Sequence, residues 1–171
     1  MATNLQFIKS ASGSGVSSLS VTDCFSAEYD VYQATIDIDN CTSGGNWSFL
    51  RFIDSGGSVI SASEYDYASL SLFSYASFGE EKGTSQTEIS RIQFVKNTGK
   101  GGNTLLNIFN PNDSSSYTFT QHQSSSSESS PNQMFASKVI GVHKSAEQIT
   151  GFSIGLSLTI NNIEINVYGV K

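Results

Sequence analysis

Strict alternation of apolar and polar residues near the end of the chain constrains the fold more than any other sequence feature. Every second residue from Phe152 to Ile160 is apolar, and the alternation resumes at Ile163 after Asn161-Asn162. A period of two is typical of β-strands with one buried face. Because asparagine tolerates positive φ, Asn161-Asn162 between two such runs predicts a tight β-hairpin. The predicted pairs are Ile160 with Ile163, Leu158 with Ile165, and Leu156 with Val167.

Similar runs recur along the chain, separated by segments rich in glycine, serine and asparagine. Among them are residues 31–40, 47–53, 67–75, 87–95, 104–109 and 134–142. In residues 67–75 the alternation places Ala68, Leu70 and Leu72 on the inner face. We expect about nine or ten strands, and no helix beyond one turn near residues 145–148. This pattern predicts an all-β fold, a single antiparallel β-sandwich that is jelly-roll-like.

Length and turn composition fit one compact unit. The chain has 171 residues, and we expect one β-sandwich domain over residues 1–171. Turns are predicted at Asp54–Gly57 and Asn110–Asp113, where glycine, asparagine and proline cluster. The serine-rich segment Gln123–Asn132 is predicted to be the longest loop.

Charge and hydropathy exclude several classes of function. The net charge is −6 and the pI is about 4.7, whereas nucleic-acid binding requires clustered lysine and arginine. No apolar run approaches the roughly 20 residues of a membrane helix. The N-terminal residues lack the apolar core of an export signal. We therefore expect a protein assembled in a cytoplasm, with no nucleic-acid partner and no membrane insertion.

The two cysteines, Cys24 and Cys41, are predicted to be reduced. If residues 17–25 and 31–39 pair as a hairpin, the two side chains lie roughly 25–30 Å apart, at about 3.3 Å per residue. Such a separation is well beyond disulfide reach, and a reducing compartment favours free thiols.

One catalytic motif is present in the sequence but lies in the wrong context. Residues 151–155 match the hydrolase pattern G-x-S-x-G. That pattern places its serine at a sharp turn between a strand and a helix, whereas Ser153 lies inside an alternating strand. We expect Ser153 to be structural, and we predict no catalytic residues and no cofactor.

Histidines and paired carboxylates are candidate metal or catalytic groups. His122 and His143 are the only histidines, and no cysteine or histidine spacing predicts the three or four ligands of a metal site. Asp37 with Asp39, and Glu64 with Asp66, each share one strand face. Such pairs could serve a glycosidase or bind calcium, but alternation alone also produces them. We predict no metal site.

Aromatic residues offer candidate ligand-binding positions. Five of them could form a platform for stacking on sugars: Trp47, Tyr65, Tyr67, Tyr75 and Tyr117. The alternative is that aromatic residues simply suit strands. With the neighbouring carboxylate, the candidate ligand-binding residues are Trp47, Tyr65, Asp66 and Tyr67.

Several segments, in their order, carry a resemblance to a known family. They are LQFIKSASGSGVSSLSVTDCF, YDVYQATIDI, LRFIDSGGSVISASEYDYASLSL, NIFNPNDSSSYTFTQHQSSS and ITGFSIGLSLTINNIEINVYGVK. This series resembles small all-β structural proteins of tailed bacteriophages, particularly marine and cyanobacterial phages. The resemblance covers nearly the whole chain and rests on patterns of strands and turns. It implies a jelly-roll-like sandwich displayed on the virion, and it brings no catalytic residues.

The resemblance implies a non-enzymatic virion protein with other virion proteins, of the capsid or tail, as partners. The chain lacks the long coiled-coil region of a full tail fibre, which favours a capsid decoration or accessory protein. The alternative is a tail- or fibre-associated module that binds a host-surface glycan receptor. A third hypothesis is a glycan depolymerase that uses a carboxylate pair. A closed symmetric homo-oligomer, for example a trimer, would fit a virion component.

Overall fold

A computed structural model gives the structure of the protein and describes residues 4–97, 100–127 and 133–171. Within these ranges the chain forms eleven β-strands and no helix. The strands are β1 (Leu5–Val21), β2 (Val31–Ile38), β3 (Gly45–Trp47), β4 (Phe49–Asp54), β5 (Tyr65–Phe73), β6 (Gly79–Gln86), β7 (Phe94–Lys96), β8 (Gly102–Phe109), β9 (Thr118–Ser127), β10 (Met134–His143) and β11 (Ile149–Val170). The predicted all-β antiparallel sandwich is confirmed, with more strands than the nine or ten expected.

Nine strands form one antiparallel sheet. Its main path runs β1-β11-β2-β8-β9-β10-β5-β6, and β4 pairs with β11 off this path. The remaining strands, β3 and β7, form a separate two-stranded sheet. The order is more complex than a simple meander because the first, last and second strands of the chain lie side by side.

Strand β11 connects the two layers of the sandwich. Its C-terminal part pairs with β2, from Ile163 opposite Ile38 to Val170 opposite Val31. Its N-terminal part pairs with β4. Strand β4 in turn lies over the inner face of β5 and β10, where the ring of Phe52 is 6.3 Å from that of Tyr65. Both sheet layers therefore depend on this one strand.

The predicted hairpin at Asn161-Asn162 is wrong, because β11 runs through these residues without a turn. Ile160 and Ile163 do not pair with each other. Ile163 pairs with Ile38 of β2, and Ile160 forms a bridge with Cys41.

A coordinated change of face in two neighbouring strands explains the misleading pattern. Ile160 and Ile163 are both buried at a spacing of three residues, and so are their partners Cys41 and Ile38. At this point Asn161 donates a side-chain hydrogen bond to Asn40 on the neighbouring segment. The break in alternation thus marks where the paired strands exchange their inward faces, not where the chain reverses.

The inner face of β5 is the opposite of the predicted one. Ser69 and Ser71 are buried, whereas Ala68 is exposed and Leu70 and Leu72 are only half-buried. The same inversion extends across β9, whose buried residues are Thr118, Thr120, His122, Ser124 and Ser126.

Backbone hydrogen-bonding requirements account for part of this polar interior. The irregular segment around residues 89–93 crosses the inner face, and its buried carbonyl groups need donors. Ser137 Oγ and His122 Nε2 both lie within hydrogen-bond distance of the carbonyl of Arg91, at 3.1 and 3.3 Å. Thr104 Oγ1 donates to the carbonyl of Ile92 at 3.2 Å. Ser137, His122 and Thr104 therefore face inward because they satisfy carbonyl groups of this buried segment.

The apolar core lies between β2, β4, β8 and β11. Its largest fully buried side chains include Tyr32, Ile36, Phe52, Leu106 and Phe152. The Phe25 ring packs on this core at 4.7 Å from Tyr32 and 5.9 Å from Phe152.

Both cysteines are buried and free, as predicted. The hairpin used to argue this is wrong, however, because β1 pairs with β11 and not with β2. Burial raises the pKa of the Cys24 thiol to about 12, so this thiol is unreactive at neutral pH.

Two of the predicted turns and part of the predicted loop can be compared with the structure. Gly57 has φ of +80° and Asn110 of +56°, in the turns expected at those positions. The predicted loop Gln123–Asn132 begins inside β9, which extends to Ser127. Its remaining residues, 128–132, lie outside the described residues.

Candidate functional site

The predicted aromatic platform does not form as one surface. Tyr65 is fully buried, and its hydroxyl donates to the carbonyl of Ile60 at 3.1 Å. It therefore cannot stack on a ligand, because its ring is part of the core. Tyr117 and Tyr75 are exposed, at 46% and 43%, but lie in separate segments of the surface.

Trp47 lines a polar groove on the surface. The guanidinium of Arg91 lies 4.7 Å from the centre of the Trp47 ring, and that of Arg51 lies 4.8 Å from the Phe49 ring. Arg91 also pairs with Glu81. The groove has a volume of about 440 Å³ and is lined by both aromatic rings and by carboxylate and guanidinium groups.

Tyr67 is linked to this groove through Glu81. Its hydroxyl donates to Glu81 Oε1 at 3.0 Å, and Glu81 in turn pairs with Arg91. Of the four candidate ligand-binding residues, Trp47 and Tyr67 are therefore connected by one chain of polar contacts, while Tyr65 and Asp66 are engaged elsewhere.

Asp66 is committed to structural contacts. Its Oδ1 lies 2.8 Å from Lys144 Nζ and accepts a hydrogen bond from the backbone N–H of Ser85 at 2.7 Å. The bond from Lys144 and then that from Ser85 hold the pKa of Asp66 below its ordinary value. Asp66 and Glu64 consequently do not act as a carboxylate pair.

Asp37 and Asp39 lie with a third carboxylate, that of Glu164 on β11. Asp37 and Glu164 are directly opposite each other in the register. Burial, followed by the charges of Asp39 and Glu164, raises the pKa of Asp37. Asp39 accepts a hydrogen bond from Asn162 at 3.0 Å.

His143 brings together two carboxylates that the sequence did not connect. The imidazole is fully buried, and its Nε2 lies 3.2 Å from Glu64 Oε2 and 3.7 Å from Glu147 Oε1. Candidate ligand atoms of the three residues all lie within 4.8 Å of one another. The spacing of His143 and Glu147, four residues apart, was the one available sequence signal. Glu64 joins them only through the pairing of β5 with β10.

His122 is a separate buried group. Burial lowers its pKa to about 4, and its hydrogen bond to the carbonyl of Arg91 opposes that shift. It is therefore neutral at physiological pH, and its role is to satisfy the buried carbonyl group of Arg91.

Ser153 lies where the strand pattern predicted. It is part of β11, paired with Arg51 on one side and Ser20 on the other. Its hydroxyl donates to the carbonyl of Leu19 at 3.4 Å. A serine within a flat ladder does not have the exposed, strained position of a nucleophile elbow.

An exposed apolar surface covers the outer side of the β8-β9-β10-β5 region. We call it the outer apolar face, and its apolar members are Leu105 and Phe109 on β8, Phe119 on β9, Ile140 and Val142 on β10, and Ala68 and Leu70 on β5. Gln123 and Lys138 lie between Leu105 and Leu70 in the register, and Gln121 lies beside Ile140. Phe109, Phe119 and Val142 are directly opposite one another across three strands. Leu105, Phe119 and Ile140 are 44%, 46% and 55% exposed. A shallow groove of about 710 Å³ runs over part of this surface.

Comparisons with known proteins give no family. No family model and no curated protein matches the chain. Among solved structures, it is similar to a functionally unknown protein from Saccharomyces cerevisiae, with 8% identity over 90% of this chain and 74% of that chain and a TM-score of 0.27. It is similar also to the CBM2 module of the evolved Dit of Lactobacillus casei BL23 phage J-1, with 10% identity over 90% and 69% of the two chains and a TM-score of 0.25.

A third similarity is to VP2 of infectious bursal disease virus, with 6% identity over 98% of this chain and 41% of that chain and a TM-score of 0.16. At TM-scores this low, these similarities carry no argument about function. Within the described ranges there is no helix with the length and apolar character needed to cross a membrane.

Proposed function

We propose that the protein is a non-enzymatic structural protein of a bacteriophage virion, displayed on the particle and attached to a larger virion protein through the outer apolar face. The observation that carries the proposal is the apolar row of Phe109, Phe119 and Val142, with Ile140 and Ala68 directly beside it on the same outward face of β8, β9, β10 and β5. Attachment to the capsid, as a decoration or accessory protein, is the version we favour. The sequence resemblance described above supplies the class of particle.

The outer apolar face has the character of a binding surface. Single exposed apolar side chains are ordinary, but a contiguous patch on a soluble protein is typical of interaction sites. Here the patch spans four neighbouring strands with regular pairing, so its shape is fixed before binding. A preformed surface loses little conformational entropy on association.

The charges near this face also suit binding to a protein surface. Lys82 and Lys138 lie on the outward side of β6 and β10, opposite Ala68 and Leu70 in the register. Neither lysine is in an ion pair with any of the residues described. A partner with an apolar centre and carboxylates at its rim would complement this arrangement.

Imaging and reconstitution test the proposal together. Cryo-EM of intact particles should show the chain on the surface, with β8, β9, β10 and β5 facing its neighbour. Particles made without this chain should bind the purified protein on co-sedimentation. The Phe119→Ser and Ile140→Lys variants should lose at least about tenfold in affinity, since buried interface anchors cost more than 1 kcal/mol when removed.

A matched control comes from Phe78, which is 67% exposed and lies outside the outer apolar face. Phe78→Ser should bind particles like the unmodified protein. Density that is absent from both capsid and tail, or binding that survives both face substitutions, would overturn the proposal. Loss of a dimer or trimer in these variants, without any effect on particle binding, would assign the face to self-association instead.

The Trp47 groove favours a second candidate, a tail- or fibre-associated module that binds a host glycan. Aromatic rings beside guanidinium and carboxylate groups are suited to sugar hydroxyls and ring faces. A glycan array probed with the full chain would test it, with Trp47→Ala expected to abolish any signal. Tyr117→Ala, at an exposed aromatic outside the groove, is the control. An unchanged signal in Trp47→Ala would exclude the groove.

A further inference from the structure

We propose that Glu64, His143 and Glu147 form a binding site for a divalent transition-metal ion such as Zn²⁺. The three residues come from different segments of one end of the sandwich. Glu64 directly precedes β5, His143 is the last residue of β10, and Glu147 lies in the connection between β10 and β11. This inference is independent of the function proposed above.

The arrangement converges on a buried nitrogen. The His143 side chain is 0% exposed, whereas Glu64 and Glu147 are 39% and 34% exposed. The carboxylates reach inward from the surface toward the same Nε2 atom. The imidazole carries at most one N–H at that atom, so it can donate to only one of the two carboxylates at a time.

Local charge balance also favours a cation. Lys144, next to His143 in the sequence, is paired with Asp66 at 2.8 Å. Among the described residues, His143 is the one basic side chain that contacts Glu64 or Glu147. Two carboxylates close together repel each other, and a divalent ion between them would neutralise both.

The donor atoms indicate the class of metal. One imidazole nitrogen with two carboxylate oxygens suits Zn²⁺ or another first-row divalent ion. Calcium prefers six to eight oxygen ligands and is not expected to compete. The partial exposure of the carboxylates leaves room for water to complete the coordination.

One feature limits the affinity. With Nε2 on the metal, the remaining ring proton lies on Nδ1, which has no hydrogen-bond partner among the described residues. The imidazole instead packs on the aromatic rings of Tyr65 and Phe52, at 4.9 and 5.9 Å between centroids. Metal-bound histidines normally donate this proton to an acceptor, and losing that acceptor costs about 10–100-fold in affinity. We therefore expect weaker binding than in a dedicated structural zinc site.

The chain offers an internal control, because His122 and His143 are its only histidines. Untagged, chelator-treated protein would be titrated with ZnCl₂ while the imidazole nitrogens are followed by long-range ¹H–¹⁵N NMR. The Nε2 resonance of His143 should shift, and the signals of His122 should stay in place. In parallel, calorimetry should show one site per chain.

Substitutions at the carboxylates separate a metal site from general acidity. Glu64→Gln and Glu147→Gln should each weaken Zn²⁺ binding by about tenfold or more, without loss of the folded spectrum. Glu164→Gln, in the histidine-free carboxylate group with Asp37 and Asp39, should leave binding unchanged. An unshifted His143 resonance at millimolar Zn²⁺ would overturn the proposal. So would binding that is lost in Glu164→Gln but retained in Glu147→Gln.

Discussion

At the residue scale, Gly151 and Gly155 are required by close packing on both sides of β11. A Cβ atom at Gly151 would lie 2.2 Å from the backbone oxygen of Val21, and one at Gly155 would lie 2.5 Å from the Phe49 ring. Backbone atoms of a paired strand cannot move aside without breaking the ladder. The two glycines of the G-x-S-x-G match thus serve packing around Ser153.

We expect Gly151→Ala to lower the free energy of unfolding by about 3 kcal/mol, at the upper end of the cost of overpacking. Gly79→Ala is the control, since its Cβ would lie 3.4 Å from Phe73, an ordinary contact. That variant should change stability by less than about 1 kcal/mol. Urea unfolding of the three proteins at pH 7 measures both values. Equal stability of Gly151→Ala and the unmodified protein would contradict the packing of β1 on β11.

His122 makes stability depend on pH in a defined window. Its pKa is about 4 in the folded protein against 6.5 for an ordinary histidine, so between these values the unfolded chain binds more protons. Stability from this group is therefore fully present above pH 6.5 and is lost as the pH falls toward 4. The loss amounts to about 3 kcal/mol from linkage.

The His122→Gln variant isolates this contribution, because glutamine can still donate to the carbonyl of Arg91 and does not titrate. Unfolding free energies of both proteins would be measured by urea titration between pH 7 and pH 4.5. The unmodified protein should lose more stability over this range than the variant. Parallel curves would show that His122 accepts a proton without cost, contrary to its burial.

At the scale of the elements, the continuity of β11 can be tested against the hairpin that its sequence suggested. Asn162→Gly creates Asn-Gly, the pair most favourable for a tight hairpin turn. In a continuous strand, glycine instead costs about 0.5–1 kcal/mol. Asn166→Gly, at another outward position of β11, should cost a similar amount. A stabilising effect of Asn162→Gly, measured by thermal or urea unfolding, would restore the hairpin.

The strands themselves were predictable, because alternation depends on neighbours in the sequence. Their partners were not, since register depends on distant segments. In the sequence, the three-residue spacing of Ile160 and Ile163 suggests a turn. In the structure, their partners Cys41 and Ile38 on the neighbouring segment have the same spacing. The inward serines of β5 could not be predicted either, because the carbonyl group that accepts from Ser69 belongs to Glu81 on β6 and becomes its partner only through strand pairing.

The candidate sites, too, were predictable from the sequence only in part. Trp47 and Tyr67 were identified from residue type, and their connection through Arg91 required the fold. Glu64 was noted as a partner of Asp66 on one strand face, yet the structure directs it to His143. Local sequence therefore identified the chemical groups, but only the pairing of β5 with β10 places Glu64 beside His143.

At the scale of the whole molecule, the fold requires apolar side chains that are buried in the core, whereas the proposed binding requires apolar side chains that are exposed on the outer apolar face. The two requirements meet on β10, where Val139 is 1% exposed and its neighbour Ile140 is 55% exposed. Val139 packs inward against the core, whereas Ile140 faces solvent. Substitution of Val139 by threonine would place a hydroxyl group on the buried side of β10, and substitution of Ile140 would place one on the exposed side.

We expect Val139→Thr to lower the free energy of unfolding by about 1–3 kcal/mol, because its hydroxyl would be buried without an assured partner. Ile140→Thr should change stability by less than about 0.5 kcal/mol, yet weaken binding to particles. Urea unfolding and co-sedimentation measure the two effects on the same samples. If Ile140→Thr destabilised the fold as much as Val139→Thr, the outer apolar face would be part of the core and not a surface available to a partner.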